Sequence, residues 1–64
     1  MFVKICGITN EEDALLSVAV GADALGFNFV NGSKRKIAVQ RASDIARRLP
    51  PEVLTVGIFQ NDLP

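Results

Sequence analysis

Near the middle of the chain the sequence reads Ala24-Leu25-Gly26-Phe27-Asn28-Phe29-Val30, a run that is nearly continuous in apolar character. Such a run is typical of a strand in a parallel sheet covered by helices, because a strand with one wet face alternates apolar and polar residues instead. Turn residues follow at 31–33, and the basic triplet Lys34-Arg35-Lys36 comes next. We therefore predict a buried strand over residues 24–30 that leads into a long loop.

Two further strands are predicted on either side of this run. Residues 2–5 are a short β-branched and aromatic stretch closed by Gly7, and residues 54–59 form a second apolar stretch. Gln60-Asn61-Asp62 is predicted to turn the chain out of the last strand.

The first interval between strands predicts a helix that begins near Asn10. Thr9 precedes Glu12 by three residues, which is the spacing of a capping box, and Gly21 is suited to the left-handed turn that ends a helix. The apolar side chains predicted to face the sheet are Ala14, Leu15, Val18 and Ala19.

The second interval also shows helical periodicity. The spacing i, i+3, i+4, i+7 is occupied by Ala42, Ile45, Ala46 and Leu49. Pro50-Pro51 is expected to stop this helix.

The order β-α-β-α-β, with crossovers of helix length, predicts an α/β fold with a parallel sheet and both helices on one face. We expect the helices to cover the bulky strand residues Val3, Ile5, Leu25, Phe27, Phe29, Val56 and Ile58. The opposite face would then carry Lys4, Cys6, Ala24, Gly26, Asn28, Thr55 and Gly57. Small and polar side chains suit the interior of a closed barrel, and a (β/α)8 TIM barrel needs about 200 residues or more. Residues 1–64 are therefore predicted to be an N-terminal fragment of a single (β/α)8 barrel domain.

Composition excludes several kinds of site. The 64 residues contain no His and a single Cys, so an internal disulfide and a Cys/His zinc site are both excluded, and any general base must be Cys, Asp, Glu or Lys. Seven basic residues balance seven acidic ones, which argues against nucleic-acid binding. No apolar run approaches the ~20 residues that span a membrane, and no basic leader opens the chain, so a cytoplasmic location without a membrane partner is expected.

Cys6 is the first candidate for chemistry. It lies at the predicted C-terminal end of strand one, where barrel enzymes place catalytic groups. The alternative is that Cys6 is a small buried apolar residue. Lys4, two residues earlier on the same face, would favour the thiolate, or would pair with an acid from another strand.

Arg35 is the second candidate, because its loop follows strand two and would lie at the same rim as Cys6. A guanidinium group matches a carboxylate or phosphate with two parallel hydrogen bonds. The alternative is that Arg35 is one of three solvated basic residues in a loop. Gly32 and Ser33 are weaker candidates for anion binding.

Five motifs of the chain occur in a characteristic order: Val3-Lys4-Ile5-Cys6-Gly7-Ile8-Thr9, Glu12-Asp13-Ala14, Gly21-Ala22-Asp23-Ala24-Leu25-Gly26-Phe27, Ser33 with Arg35, and Val56-Gly57-Ile58-Phe59. Together they resemble the N-terminal part of the phosphoribosylanthranilate isomerase family of tryptophan biosynthesis. The run from Lys4 to Thr9 is the most specific of them, whereas the third motif also recurs in other barrels.

The resemblance implies an isomerase that needs no cofactor and no metal. Its substrate would be the small molecule phosphoribosylanthranilate, converted by an Amadori rearrangement to the carboxyphenylamino-deoxyribulose phosphate. It also implies that Cys6 is the general base, taking a proton from the sugar carbon beside the anomeric centre. Arg35 would contact the anthranilate carboxylate. An Asp on a later strand would be the general acid, and loops near the end of the barrel would hold the phosphate.

The chain departs from the family pattern in three respects. Lys34 stands where the family usually has Pro, and Ala38-Val39 stands at the start of helix two where it has Ser-Pro, a loss that weakens this start by about 1 kcal/mol. The acid strand and the phosphate loops are also missing from these 64 residues. We therefore expect the isolated chain to be inactive, and to self-associate or pair with the rest of the barrel.

Two other interpretations remain open from the sequence. One is a non-catalytic βαβαβ folding or assembly module, whose uncovered sheet face mediates association. The other is a different barrel enzyme that acts on sugar phosphates, although this would not account for the specific run around Cys6.

Overall fold

A computed structural model describes residues 1–59 and contains three strands and two helices in alternation. Their bounds are β1 (Lys4–Ile5), α1 (Glu11–Ala19), β2 (Ala24–Asn28), α2 (Val39–Ala46) and β3 (Leu54–Ile58). All pairings are parallel, and β2 lies between β1 and β3. The predicted β-α-β-α-β parallel sheet is confirmed. The turn predicted at residues 60–62 lies outside the described residues.

All three strands are shorter than predicted, and side-chain hydrogen bonds lie at the shortened ends of β1 and β2. The Asn28 side-chain oxygen accepts a hydrogen bond from the Val30 backbone N–H at 2.9 Å, which bends the chain out of β2 two residues early. Ahead of β1, the Asp23 carboxylate accepts a hydrogen bond from the Val3 N–H at 2.7 Å. The Val3 carbonyl in turn accepts bonds from the N–H groups of Asp23 and Ala24.

Helix α1 is capped one residue later than predicted. Asn10, not Thr9, is the N-cap, and its side-chain oxygen accepts a hydrogen bond from the Asp13 N–H at 2.8 Å. The Asn10 amide also donates to the Asp13 carboxylate at 3.1 Å. Asn is a stronger N-cap than Thr, and Asp13 stands at the same spacing from Asn10 as Glu12 from Thr9. The predicted stop at Gly21 is confirmed by its φ of 102°.

The helices and the sheet share one apolar core. Its buried members are Ile8, Ala14, Ala22, Leu25, Phe27, Ile37, Ala42, Ile45 and Leu49. On α1 the buried face consists of Ala14 and Ser17, with Val18 packed beside them, whereas Leu15 is 45% exposed. The predicted stripe was therefore wrong at Leu15 and at the exposed Ala19, because the row 14, 17, 18 is the one that meets the sheet.

Helix α2 begins without a side-chain cap. Ala38 occupies the N-cap position in an extended conformation, and no side-chain hydrogen bond satisfies the first turn. The sequence predicted that α2 begins without a side-chain cap, and the structure confirms this. In residues 1–59 neither helix is long and apolar enough to cross a membrane.

The two faces of β3 are reversed relative to the prediction. The register pairs Leu25 with Thr55 and Phe27 with Gly57, so Thr55 and Gly57 share the helix-covered face. Val56 and Ile58 pair with Gly26 and Asn28 on the other face. Residues 54–58 are apolar or small on both sides, so their alternation does not fix the phase, and a shift of one residue exchanges the faces.

The face of the sheet away from the helices is here called the open face. It consists of Lys4, Cys6, Ala24, Gly26, Asn28, Leu54, Val56 and Ile58. The predicted assignments of β1 and β2 are confirmed in that Leu25 and Phe27 are buried in the core and the partly buried Ile5 and Phe29 pack against it, although Val3 stays exposed.

Candidate functional site

The carboxyl ends of β1 and β2 bring the two predicted site residues to one rim of the sheet. Cys6 follows the last residue of β1 directly and is a free, exposed cysteine. Arg35 lies in the loop between β2 and α2. Because parallel strands end at the same edge, their following loops meet there, which is the edge where barrel enzymes carry their chemistry.

The turn that holds Cys6 is fixed by the backbone of β2. The N–H groups of Gly7 and Ile8 both donate to the Gly26 carbonyl oxygen at 3.1 Å. Ile8 is then buried in the core, and Gly7 adopts a φ of 81°, which glycine reaches without strain. The chain therefore reverses immediately after Cys6, and the thiol is presented at the rim from an anchored backbone.

The loop that carries Arg35 is also tied back to the sheet. The Ser33 hydroxyl oxygen accepts a hydrogen bond from the Arg35 N–H at 3.2 Å. Two residues beyond Arg35, the Ile37 N–H donates to the Asn28 carbonyl at 2.9 Å, and the Ile37 side chain is buried. Ser33, considered from the sequence as an anion-binding group, thus shapes the loop beneath Arg35.

The Arg35 side chain reaches over to the turn beside Cys6. A Cβ built on Gly7 would lie 2.7 Å from Cδ and 3.1 Å from Nη1 of Arg35. The guanidinium group therefore lies over the residue that follows Cys6. A cation able to bind a carboxylate and a thiol able to exchange a proton are held on neighbouring parts of one rim.

Lys4 lies on the open face, two residues before Cys6. In residues 1–59 the ion pairs join Arg47 to Asp44 and Arg48 to Glu11, so Lys4 has no carboxylate partner within this part of the chain. The same residues contain no cluster of three or more His, Cys, Asp or Glu side chains that could hold a metal ion.

Sequence reasoning did not select Gly7 and Gly26 as parts of the site. Both lie against a site residue: Gly7 against Arg35, and Gly26 against Cys6. The available signal was a glycine inside an apolar strand and another directly after a strand, because glycine at such positions often marks a close approach of other groups. Which group approaches is visible only in three dimensions.

Parallel strands that alternate with helices and carry a thiol and a guanidinium at their carboxyl ends define the first units of a (β/α)8 barrel of the enzyme type. The model of one family, described as N-(5'-phosphoribosyl)anthranilate (PRA) isomerase, matches residues 3–63. The chain belongs to the N-(5'-phosphoribosyl)anthranilate isomerase family, as its sequence motifs predicted.

Individual relatives agree with this assignment. The N-(5'-phosphoribosyl)anthranilate isomerase of Pelobacter propionicus is 57% identical over 60 residues, which make up 94% of this chain and 29% of the relative. The same enzyme from Thermotoga maritima is 58% identical over 62 residues, or 97% of this chain and 30% of the relative. The chain thus spans about a third or less of the length of these relatives.

Solved structures confirm the fold of this segment. The crystal structure of phosphoribosyl anthranilate isomerase from Thermus thermophilus superposes with a TM-score of 0.91 at 55% identity, covering 100% of this chain and 32% of that one. A second, in complex with reduced 1-(o-carboxyphenylamino)-1-deoxyribulose 5-phosphate, gives a TM-score of 0.93 at 56% identity, covering 97% of this chain and 32% of that one. The three parallel strands and their helices match the N-terminal part of these barrels.

Proposed function

We propose that residues 1–64 form the N-terminal part of a single barrel domain that acts as a phosphoribosylanthranilate isomerase in tryptophan biosynthesis. The reaction is the cofactor-free Amadori rearrangement of N-(5'-phosphoribosyl)anthranilate to 1-(o-carboxyphenylamino)-1-deoxyribulose 5-phosphate. The observation that carries the proposal is the placement of Arg35 over the turn next to Cys6, within a chain of this family.

Cys6 serves as the general base in this proposal. An Amadori rearrangement moves hydrogen from carbon 2 of the sugar to carbon 1. A base removes the proton from carbon 2 of the ring-opened imine, whose nitrogen is protonated, and the resulting neutral enol loses its hydroxyl proton and gains one at carbon 1. The turn directly after Cys6 is anchored by two hydrogen bonds from Gly7 and Ile8 to the Gly26 carbonyl, so the thiol has a defined position from which to take the first proton.

Arg35 binds the anthranilate carboxylate in this proposal. Its guanidinium presents paired N–H donors in a plane, which match the two oxygens of a carboxylate. The guanidinium lies over Gly7, the residue directly after Cys6, so a carboxylate bound by Arg35 is held next to the turn that carries the thiol. In this proposal Arg35 binds the substrate, and Cys6 reacts with it.

One relative has been solved with a reduced form of the reaction product bound. The complex with reduced 1-(o-carboxyphenylamino)-1-deoxyribulose 5-phosphate belongs to a protein whose sequence is 56% identical to this chain. That similarity supports the same substrate class here. The general acid and the phosphate-binding groups are expected from the two thirds of the barrel that follow this segment in its relatives.

The open face supports pairing with the rest of the barrel. Leu54 is 55% exposed there, and Val56 and Ile58 are only half-buried. Within residues 1–59 both β1 and β3 are edge strands. Another structure, from Thermotoga maritima, concerns monomers generated from a dimeric isomerase, which supports self-association as a further property of the complete protein.

A chimeric barrel tests the function. The Thermotoga maritima isomerase contains a segment of 62 residues that is 58% identical to this chain. In the chimera, residues 1–64 of this chain replace that segment and are joined to the rest of the Thermotoga enzyme. The expected result is conversion of phosphoribosylanthranilate, which Cys6→Ala slows by about 10²–10⁴. The exposed Ser43, on α2, provides a control variant, Ser43→Ala, that should retain turnover. A folded chimera without isomerase activity would contradict the proposal and favour the non-catalytic module.

A further inference from the structure

We propose that Gly26 is a positioning residue for Cys6, an inference that rests on the proposed role of Cys6 as the general base. The first observation is that the Gly26 carbonyl oxygen accepts both hydrogen bonds that fix the turn after Cys6, from the N–H groups of Gly7 and Ile8 at 3.1 Å. The backbone on which the thiol stands is therefore tied to residue 26.

The second observation is that the missing side chain of Gly26 leaves the space that Cys6 occupies. A Cβ built on Gly26 would lie 3.3 Å from Sγ, 3.3 Å from Cα and 3.5 Å from Cβ of Cys6. The first two separations are tighter than ordinary van der Waals contact, so a neighbour must shift by a few tenths of an ångström. Because the Cα and the Sγ of Cys6 are equally close to that Cβ, Cys6 is the residue that must shift, and its thiol shifts with it.

Gly57 shows that this relationship is specific to Gly26. It too lies in a strand and would crowd its surroundings, since a Cβ there would lie 2.9 Å from the ring of Phe59 and 3.0 Å from the ring of Phe29. Those atoms are the far ends of aromatic side chains on the helix-covered face, and Phe59 is 70% exposed and free to yield. An alanine at 57 therefore disturbs apolar packing, whereas an alanine at 26 disturbs the reactive atom.

The consequence is a strict requirement on residue 26. A general base must approach its proton at hydrogen-bond distance, and misplacement of about 1 Å can cost about 100-fold in rate. A shift of a few tenths of an ångström should therefore lower turnover by about tenfold while leaving substrate binding at Arg35 nearly unchanged.

The test compares Gly26→Ala with Gly57→Ala in the chimeric barrel. We expect Gly26→Ala to lower kcat by about tenfold with a change in KM below about threefold, and Gly57→Ala to leave kcat unchanged. A second measurement follows alkylation of Cys6 by iodoacetamide, resolved by mass spectrometry of the peptide that contains it. The added methyl group covers one side of Sγ, so alkylation should slow about threefold or more in Gly26→Ala alone.

The alkylation rate does not depend on isomerase activity, so it tests the positioning even if the proposed function fails. Unchanged kcat and unchanged alkylation in a folded Gly26→Ala barrel would overturn the inference, as would a rise in KM at constant kcat. If Gly26→Ala does not fold, the double variant Gly26→Ala/Cys6→Ala is compared with it. Recovery of folding in the double variant supports the inference because Sγ has been removed. Failure of both variants overturns it because the required space is then not that of the thiol.

Discussion

Arg35 lies directly across Gly7, so closely that a Cβ at position 7 would be 2.7 Å from its Cδ. Gly7, which follows the candidate base Cys6, therefore packs against the side chain of Arg35, the candidate carboxylate-binding residue. Its φ of 81° adds a second reason for glycine at this position. The turn after β1 and the loop after β2 thus contact each other, so a side chain added at Gly7 would displace Arg35.

Gly7→Ala in the chimeric barrel should raise KM by about tenfold, because the methyl group displaces the guanidinium from its place over the turn. It should also cost about 1 kcal/mol or more in unfolding free energy, since alanine is strained at positive φ.

Gly21→Ala is the matched control for that variant. Gly21 has a φ of 102°, but a Cβ there meets nothing within 4 Å. It should therefore show a similar loss of stability with KM unchanged. Steady-state kinetics and thermal unfolding of both variants measure the two effects, and equal KM values would count against the Gly7–Arg35 relationship.

Cys6→Ala should lower kcat of the chimeric barrel by about 10²–10⁴, the usual contribution of a positioned general base, with a smaller change in KM. The variant keeps the backbone hydrogen bonds to Gly26, which involve the next two residues and not the thiol. Steady-state kinetics on phosphoribosylanthranilate provide the measurement. Turnover equal to that of the parent barrel would remove Cys6 from the mechanism.

Arg35→Lys should raise KM by about tenfold although the charge is kept, because an ammonium group lacks the planar pair of donors and loses about 1.4 kcal/mol of binding. Lys34→Ala serves as the control, since Lys34 is an exposed neighbour in the same loop. If Lys34→Ala raised KM more than Arg35→Lys, carboxylate binding would belong to Lys34.

The sequence predicted the parts of this fold that depend on strong local patterns. The apolar run of β2, the helix stop at Gly21 and the uncapped start at Ala38 each follow from residues that are adjacent in the chain. The phase of β3 was wrong, because Thr55 and Val56 are both tolerated on either face and only pairing with β2 decides between them.

The candidate site was also predictable from the sequence only in part. The positions of Cys6 and Arg35 at the carboxyl ends of β1 and β2 follow from strand order alone. The contact of Arg35 with Gly7 depends on how two loops lie against each other, and that of Cys6 with Gly26 depends on the pairing of β1 with β2. Glycine contributes no side chain to a sequence pattern, so residues that act by leaving space are the hardest to identify from sequence.

Ala38→Ser should stabilise the barrel by about 0.5–1 kcal/mol, since Ala38 already has the extended N-cap conformation but offers no side-chain acceptor to the first turn of α2. Asn10→Ala is the complementary control, because it removes the α1 cap that accepts from Asp13 and should cost about 1 kcal/mol. Chemical denaturation measures both. A destabilising Ala38→Ser would show that the entry to α2 is constrained by something other than its missing cap.

The isolated 64-residue chain should have no measurable isomerase activity and should not persist as a compact monomer. In residues 1–59 the only interior strand is β2, so β1 and β3 each present unpaired backbone groups along one edge. The open face also leaves Leu54 more than half exposed, and the stacked rings of Phe29 and Phe59 leave Phe59 70% exposed at the border of the sheet. Edges and apolar surface of this kind are covered by pairing with another strand, so we expect larger species or partial unfolding in light scattering and circular dichroism.

Adding the separately expressed remainder of the Thermotoga maritima isomerase should restore turnover, because it supplies the strands that flank β1 and β3. A monomer that is stable alone and fully active would refute the assignment of this chain to part of a barrel and the need for a second catalytic group outside it.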